Sequence, residues 1–330
     1  MDGFGRVHTA LRVSLTDRCS LRCDYCMPEL GNVWLARDSL IAAAEVEEVV
    51  RVAASMGVDR VRLTGGEPLL RRDLEEVVRR LGRIGSPDRP LEVSMTTNGI
   101  GLEDRIDALV SAGLARVNVS LDTLDPETFA RSTKRDRLGD VLRGLDAAAA
   151  STLPLKINAV AQRGVNDTEI VGLVGAALDR GAELRFIEQM PLDIGHRWDP
   201  ATLLDRAEIL DRLSGRWRLT PVPGRGSAPA ERFLLDDGPG TVGVIASVSA
   251  PFCGACDRLR LTADGQLRSC LFSRTEHDLL TDLRGEQDPV KRAEVTERVL
   301  RACVGSKQAG HGIGDAEFLQ PRRGMNAIGG

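Results

Sequence analysis

Nothing in these 330 residues is long and apolar enough to span a bilayer, and Met1 to Val13 holds no apolar stretch of the kind that directs secretion. Both absences predict a cytoplasmic protein that meets no membrane. Excess positive charge is also missing: 44 Lys and Arg against 48 Asp and Glu leave a formal net charge of −4, which argues against a general nucleic-acid binder. Any anionic ligand must therefore meet a local cluster of Arg and Lys. Solenoid-type repeats are absent. Cysteine is sparse, with seven in all, but unevenly spread: Cys19, Cys23 and Cys26, then Cys253, Cys256 and Cys270, and Cys303 alone. Such clustering without a secretion signal favours metal sites over disulfides. What is present, 42% hydrophobic and 28% charged residues, reads as a soluble chain able to bury a full core.

From Leu11 to about Gly215 short β-rich runs alternate with amphipathic helical stretches. Strands are predicted at 11–15, 60–64, 91–96, 116–121, 155–161 and 183–187, and helices at 42–56, 73–81, 103–112, 141–150 and 168–180. Gly57, Gly82, Gly113 and Gly181 fall where a left-handed residue past a helix end is wanted. Asp125-Pro126 and Asp167 read as helix starts. Repeated βα units imply parallel strands with right-handed crossovers, hence an α/β barrel or a doubly wound sheet, although six strands fall short of eight. Beyond Gly215 the rhythm changes. Pro221 to Gly240 reads as an irregular connection, 241–248, 258–261 and 266–269 as strands, and 290–302 as a helix.

The run Thr16-Asp17-Arg18-Cys19-Ser20-Leu21-Arg22-Cys23-Asp24-Tyr25-Cys26 puts three thiols within eight residues, where one curl of a loop brings them to a common point. A cubane iron–sulfur cluster normally takes four cysteines, so three leave one iron open to bind something other than protein. Three buried apolar thiols are the bland alternative. In a parallel α/β barrel reactive groups gather at the C-terminal ends of the strands, and this chain puts its unusual residues there. Thr64-Gly65-Gly66-Glu67-Pro68, Thr96-Thr97-Asn98-Gly99, Ser120 with Asp122, and Glu188-Gln189-Met190-Pro191 all follow predicted strands. The paired glycines let a ligand approach bare backbone, and Glu67 can accept from an ammonium group. The second group, Cys253-Gly254-Ala255-Cys256 and Cys270, again offers three ligands. A zinc ribbon completed by His277 or His311 is the alternative there. Arg258 and Arg260 flank Leu259, so in a strand both guanidinium groups share one face, suited to a polyanion beside a metal.

The first motif resembles that of radical S-adenosylmethionine (SAM) enzymes, with Gly65-Gly66-Glu67-Pro68 similar to the element that binds the SAM amino group. Together with the later cysteines, Arg258-Leu259-Arg260 and the final Gly329-Gly330, the chain resembles the GTP 3′,8-cyclase (MoaA) family of molybdenum-cofactor biosynthesis from Arg12 to Gly330. The resemblance implies a partial (β/α)6 barrel over residues 1–215 and an α+β extension over 216–330 carrying a second cluster. It implies that Cys19, Cys23 and Cys26 hold the [4Fe-4S] cluster that chelates SAM, and that Cys253, Cys256 and Cys270 hold another [4Fe-4S] cluster. Tyr25, Gly66, Ser120 and Met190 match the family's SAM contacts. Arg12, Arg62, Thr96 (or its neighbour Thr97), Lys156, Arg258, Leu259 and Arg260 match its GTP contacts. Arg258, Arg260, Gly329 and Gly330 also match residues with catalytic roles, the tail being inserted into the active site. The implied reaction forms a 5′-deoxyadenosyl radical that takes hydrogen from C3′ of GTP, after which C3′ attacks C8. The implied partners are GTP, an electron donor and a second copy in a homodimer. A radical SAM enzyme acting on a peptide or another nucleotide, or a non-enzymatic zinc protein, is the competing reading.

Overall fold

The computed structural model describes residues 1–330 other than 29, 87, 194 and 330. Its framework begins with β1 (Ala10–Ser14) and β2 (Arg60–Thr64); a separate pair of two-residue strands follows, β3 (Gly85–Ser86) and β4 (Arg89–Pro90). Then come β5 (Glu92–Thr97), β6 (Arg116–Ser120), β7 (Leu155–Ala161) and β8 (Glu183–Glu188). Helices α1 (Ala43–Ser55), α2 (Leu74–Leu81), α3 (Ile106–Ala112), α4 (Pro126–Thr133), α5 (Leu138–Ala150) and α6 (Ile170–Leu178) supply the crossovers. In α2 the apolar residues Leu74, Val77, Val78 and Leu81 fall on one stripe, and all four are buried. Asp125 caps α4 by accepting from the Thr128 amide at 2.8 Å, with Pro126 in the first turn.

After α7 (Arg206–Ser214) come β9 (Leu219–Val222), β10 (Glu231–Leu235), β11 (Thr241–Ile245), β12 (Arg258–Leu261), β13 (Gln266–Arg268) and β14 (His277–Asp278). All join the same sheet, whose order is β14-β13-β12-β1-β2-β5-β6-β7-β8-β11-β10-β9. The six predicted parallel strands are thus flanked by two more: β12 runs parallel to β1, and β11 parallel to β8. The outer strands on both sides pair antiparallel. Helices α8 (Leu280–Gly285) and α9 (Pro289–Gly305) cover this side, α9 lying against α1, and α10 (Met325–Ile328) closes the chain. Among the described residues no helix is long and apolar enough to cross a membrane.

The stretch 221–240 is less irregular than its Pro and Gly content predicts. Phe233 and Leu235 are buried and hold β10 between β9 and β11. Of the four helix-end glycines, Gly57, Gly113 and Gly181 are left-handed, but Gly82 has φ −62° and continues the right-handed turn. Asp167 caps no helix: α6 starts at Ile170, and the Asp167 carboxylate accepts instead from the Gly164 amide at 2.9 Å.

Candidate active site

The loop after β1 carries the first cysteine triad and is tied down by its neighbours. Arg22 donates to the carbonyls of Cys19 and Leu21, both at 2.7 Å, and stacks on Trp34. The Arg22 and Asp24 amides donate to the Thr133 and Ser132 carbonyls at the end of α4. Asn98, just past β5, donates to Ser20 Oγ at 2.9 Å and to Cys19 Sγ at 3.7 Å. Burial, then the Glu67 carboxylate, pushes the Cys19 thiol up to about 11. Burial and neighbouring sulfurs drive Cys23 and Cys26 upward as well. Three partly buried thiols held neutral in this way suit a cationic iron–sulfur core, which binds them as thiolates.

Glycines 65 and 66 have a different reason from the one their sequence suggests. A Cβ on Gly66 would lie 2.3 Å from the Arg18 carbonyl oxygen, and one on Gly65, at φ +152°, 2.6 Å from that of Thr16. The missing side chains make room for the cysteine loop's own backbone, which accepts from the Gly66 and Glu67 amides at 2.7 Å. Glu67 is buried and accepts from Asn98 N and Thr97 Oγ1 at 2.7 Å and from Leu69 N at 2.9 Å. Burial nevertheless raises its carboxyl to about 7. One acceptor position is left over, which an ammonium group would use. Thr97, engaged by Glu67 and by the Gly99 amide, is spoken for, whereas Thr96 makes no side-chain hydrogen bond among the described residues.

A cavity of about 310 Å³ lies across the C-terminal ends of the strands and is lined by all six clustered cysteines. Tyr25, Gly66, Thr96, Ser120, Met190, Arg12, Arg62, Arg258 and Arg260 line it too. Tyr25 donates to Asp122 at 2.7 Å, and burial lifts the Asp122 carboxyl to about 6. Cys253 and Cys256 sit on a single 3-10 turn before β12, and Cys270 follows β13. At Cys256 burial works upward, but Arg258 and Lys307 outweigh it and the thiol lies below its ordinary value. Both ring nitrogens of His311 are occupied, by the Ser247 carbonyl and the Ile313 amide, and His277 Nε2 pairs with Ser306. Among the described residues no three His, Cys, Asp or Glu side chains are gathered tightly enough for one metal ion. A cubane spaces its ligands more widely than a single ion does.

A second cavity of about 300 Å³ adjoins the first towards the strands' N-terminal ends, with Arg12, Arg62, Arg185 and Arg258 lining both. Nine cations (Arg12, Arg60, Arg62, Arg116, Lys156, Arg185, Arg225, Arg232 and Arg258) face it, against the single carboxylate of Asp257. The strand register explains the concentration. Arg260, Arg12, Arg62, Ser94 and Arg116 are lateral partners across β12, β1, β2, β5 and β6. Neighbouring strands stand about 4.8 Å apart, so Arg260, Arg12 and Arg62 form a row of three like charges at a spacing that ordinarily destabilises a sheet. Burial and the other arginines hold Arg12 and Arg62 well below the usual guanidinium range, and burial lowers Arg260 to about 10. Burial and Arg185 bring Lys156 to about 8 despite Glu183 at 3.3 Å. Arg12 and Arg62 have no carboxylate partner among the described residues, as expected of groups arranged for a polyanion.

Of these nine cations the sequence motifs single out Arg12, Arg62, Lys156 and Arg258, with Arg260 in the neighbouring cavity, but not Arg60, Arg116, Arg185, Arg225 or Arg232. The available signal was a cation recurring in strand after strand of an otherwise apolar sheet. Leu259 differs from its neighbours: it is 2% exposed, packed in the core, and lines neither cavity. The tail reaches the same place. Asn326 Nδ2 donates to the Asp17 carbonyl at 3.2 Å, Ile328 is buried, and Arg260 Nη1 donates to the Gly329 carbonyl. Gly329 has φ +84°, and a Cβ there would meet Thr64 Oγ1 at 2.8 Å, so the position requires glycine. Gly330 lies outside the described residues.

Cysteines at the mouth of a parallel sheet define a class: residues 13–177 match the radical SAM superfamily, and residues 182–313 match the Molybdenum Cofactor Synthesis C family. Solved structures of SuiB from Streptococcus suis, bound to its precursor peptide SuiA or to S-adenosylmethionine, share the fold. Their TM-scores are 0.61 and 0.58 at 15% and 14% identity, over 82% and 87% of this chain and 62% and 68% of theirs. At such identity the likeness is one of fold alone. The "GTP 3′,8-cyclase" of Mycobacterium sp. (strain KMS) is 53% identical over all of this chain and 93% of its own length. That of Streptomyces coelicolor is 51% identical over all of this chain and 96% of its own. The chain belongs to the GTP 3′,8-cyclase family of radical SAM enzymes.

Proposed function

We infer that this protein is a lyase that converts GTP to its 3′,8-cyclised dihydro form, the first step of molybdenum-cofactor biosynthesis. The observation that carries the reading is that Arg12 and Arg62, in the row that runs from one cysteine triad into a cation-lined cavity, have no carboxylate partner among the described residues. Cys19, Cys23 and Cys26 would hold the [4Fe-4S] cluster that binds SAM, and Cys253, Cys256 and Cys270 a second [4Fe-4S] cluster. The second is favoured by a three-thiol set beside Arg258 and Arg260. Loaded with the reduced first cluster and SAM, the site supplies a 5′-deoxyadenosyl radical that takes hydrogen from C3′ of GTP, so that C3′ bonds to C8.

The chain's own residues bind and orient. Glu67 receives the SAM ammonium, while Gly66, Ser120, Met190 and Tyr25, the last steadied by Asp122, surround the rest of SAM. Arg12, Arg62, Lys156, Arg185 and Arg258 receive the triphosphate, and Thr96 rather than Thr97 is free to reach the nucleotide. Exclusion of water and alignment of the reacting carbons are then the protein's contribution. The six βα units up to about residue 215 form a partial (β/α)6 barrel, and residues 216–330 form the extension that brings the second triad to its mouth. An external electron donor is required.

Anaerobic reconstitution should give about eight iron atoms per chain. Incubation with SAM, a strong reductant and each nucleoside triphosphate in turn should yield cyclised product from GTP alone. Stoichiometric zinc with little iron would overturn the reading. The arginine row gives a second test with two signs. Arg62→Met should weaken GTP binding by roughly 1.5–3 kcal/mol through one lost charge-assisted bond, with SAM affinity unchanged in calorimetric titration. The same change removes a like charge from a crowded row, so the nucleotide-free protein should melt no lower than wild type. Reduced melting temperature with unchanged GTP affinity would return Arg62 to a structural role.

A further inference from the structure

Just beyond α9 lies a buried cation that the reaction as described does not use. Lys307 is 6% exposed, and its ammonium has three acceptors for its three protons: the Arg258 carbonyl at 2.6 Å, the Ser269 carbonyl at 2.8 Å and Cys256 Sγ at 3.8 Å. The two carbonyls belong to β12 and to the residue before Cys270. One side chain therefore spans the turn that carries Cys256 and the strand end that carries Cys270. The next residues extend the link to the remaining cysteine. The Gln308 and Ala309 carbonyls accept from Arg6 at 2.6 and 3.2 Å, and Arg6 also donates to the Cys253 carbonyl at 2.8 Å. Arg6 is itself fixed by Asp2 at 2.6 Å.

Resting on the reading that the second triad holds an iron–sulfur cluster, we propose that Lys307 is the positioning residue of that site, setting the spacing of its ligands and supplying an N–H···S bond to Cys256. Its charge serves the cluster as well as its geometry. A cubane bound by three thiolates is anionic and becomes more so on reduction, and a hydrogen bond to a ligand sulfur favours the reduced form. With its other two protons accepted by carbonyls, the ammonium is held facing Cys256 Sγ. Lys307 touches neither substrate nor reacting atoms in this arrangement. Its effect on the reaction passes through the cluster alone.

The test uses the full-length chain with Cys19, Cys23 and Cys26 all changed to Ser, in which the second triad provides the remaining cluster site. The chain has four lysines, Lys134, Lys156, Lys291 and Lys307, so [15N]lysine labelling introduces few nitrogens, and only Lys307 contacts this triad. After anaerobic reconstitution and reduction, electron–nuclear double resonance should detect one 15N coupled to the cluster, without any substitution at Lys307. Lys307→Met should remove that coupling, lower the midpoint potential and reduce iron content. Lys307→Arg, which keeps the charge, should restore the potential towards that of the parent. A reconstituted cluster with no 15N coupling, and a Lys307→Met midpoint equal to the parent's, would overturn the assignment while leaving the two-cluster reading in place. Failure of the parent to take up any cluster would overturn both.

Discussion

Cys23→Ala should abolish 5′-deoxyadenosine formation, whereas Cys256→Ala should leave uncoupled SAM cleavage and no cyclised product. The expectation follows from where the two triads sit. Cys23 lies in the loop that packs against Gly65 and Gly66 and that Asn98 holds to the Glu67 corner, so losing it removes the site proposed to bind and cleave SAM. Cys256 lies across the cavity, beside Arg258 and Lys307, on the turn before β12. None of the hydrogen bonds that fix the first loop passes through it. Both products can be followed by chromatography in one anaerobic assay, with circular dichroism as the check on folding. Equal loss of both activities in both folded variants would contradict this division of labour.

Deleting Gly329 and Gly330 should leave SAM cleavage near the wild-type rate but suppress cyclisation. The Gly329 carbonyl is an acceptor for Arg260, a member of the arginine row, and its backbone fits against Ser14 and Thr64 where a side chain would collide. Without it, Arg260 loses a charge-assisted bond worth roughly 1.5–3 kcal/mol, enough for a tenfold or greater drop in correctly aligned turnover. Gly329→Ala tests the same point more gently, since it adds a Cβ at a left-handed position 2.8 Å from Thr64 Oγ1. Normal product yield from the truncated chain would show that Arg260 needs no partner there.

Much of the fold was legible because its strands and helices carry local signals. The alternation of β7, buried at every second residue, and the apolar stripe of α2 read directly from spacing. The two cysteine groups stand out in the sequence by their spacing, and the structure brings all six to one cavity. What escaped notice depended on partners distant in sequence. Arg116 and Arg185 look like ordinary charges on a strand until β1, β2 and β5 are laid beside them. Glu188 looks like a strand-end acid, yet it is fully buried and accepts from the Arg206, Val248 and Ser249 amides at 2.8 Å, joining β8, α7 and the end of β11. The absent side chain of Gly66 does not say whether ligand or backbone takes its place, and the Arg18 backbone does. Lys307 bonds mainly to carbonyls, which no residue pattern announces.

The pairing of β1 with β12 bears on how the protein is made. The strand that covers the free edge of β1 is some 250 residues behind it in the chain, Ala10 lying against Arg258. The opposite edge, β8, waits for β11 in the same way. During translation the six-stranded core therefore displays two open parallel edges, and such edges readily recruit foreign strands. Completion of the sheet therefore depends on the last third of the chain, whose strands β11 and β12 cover both edges at once.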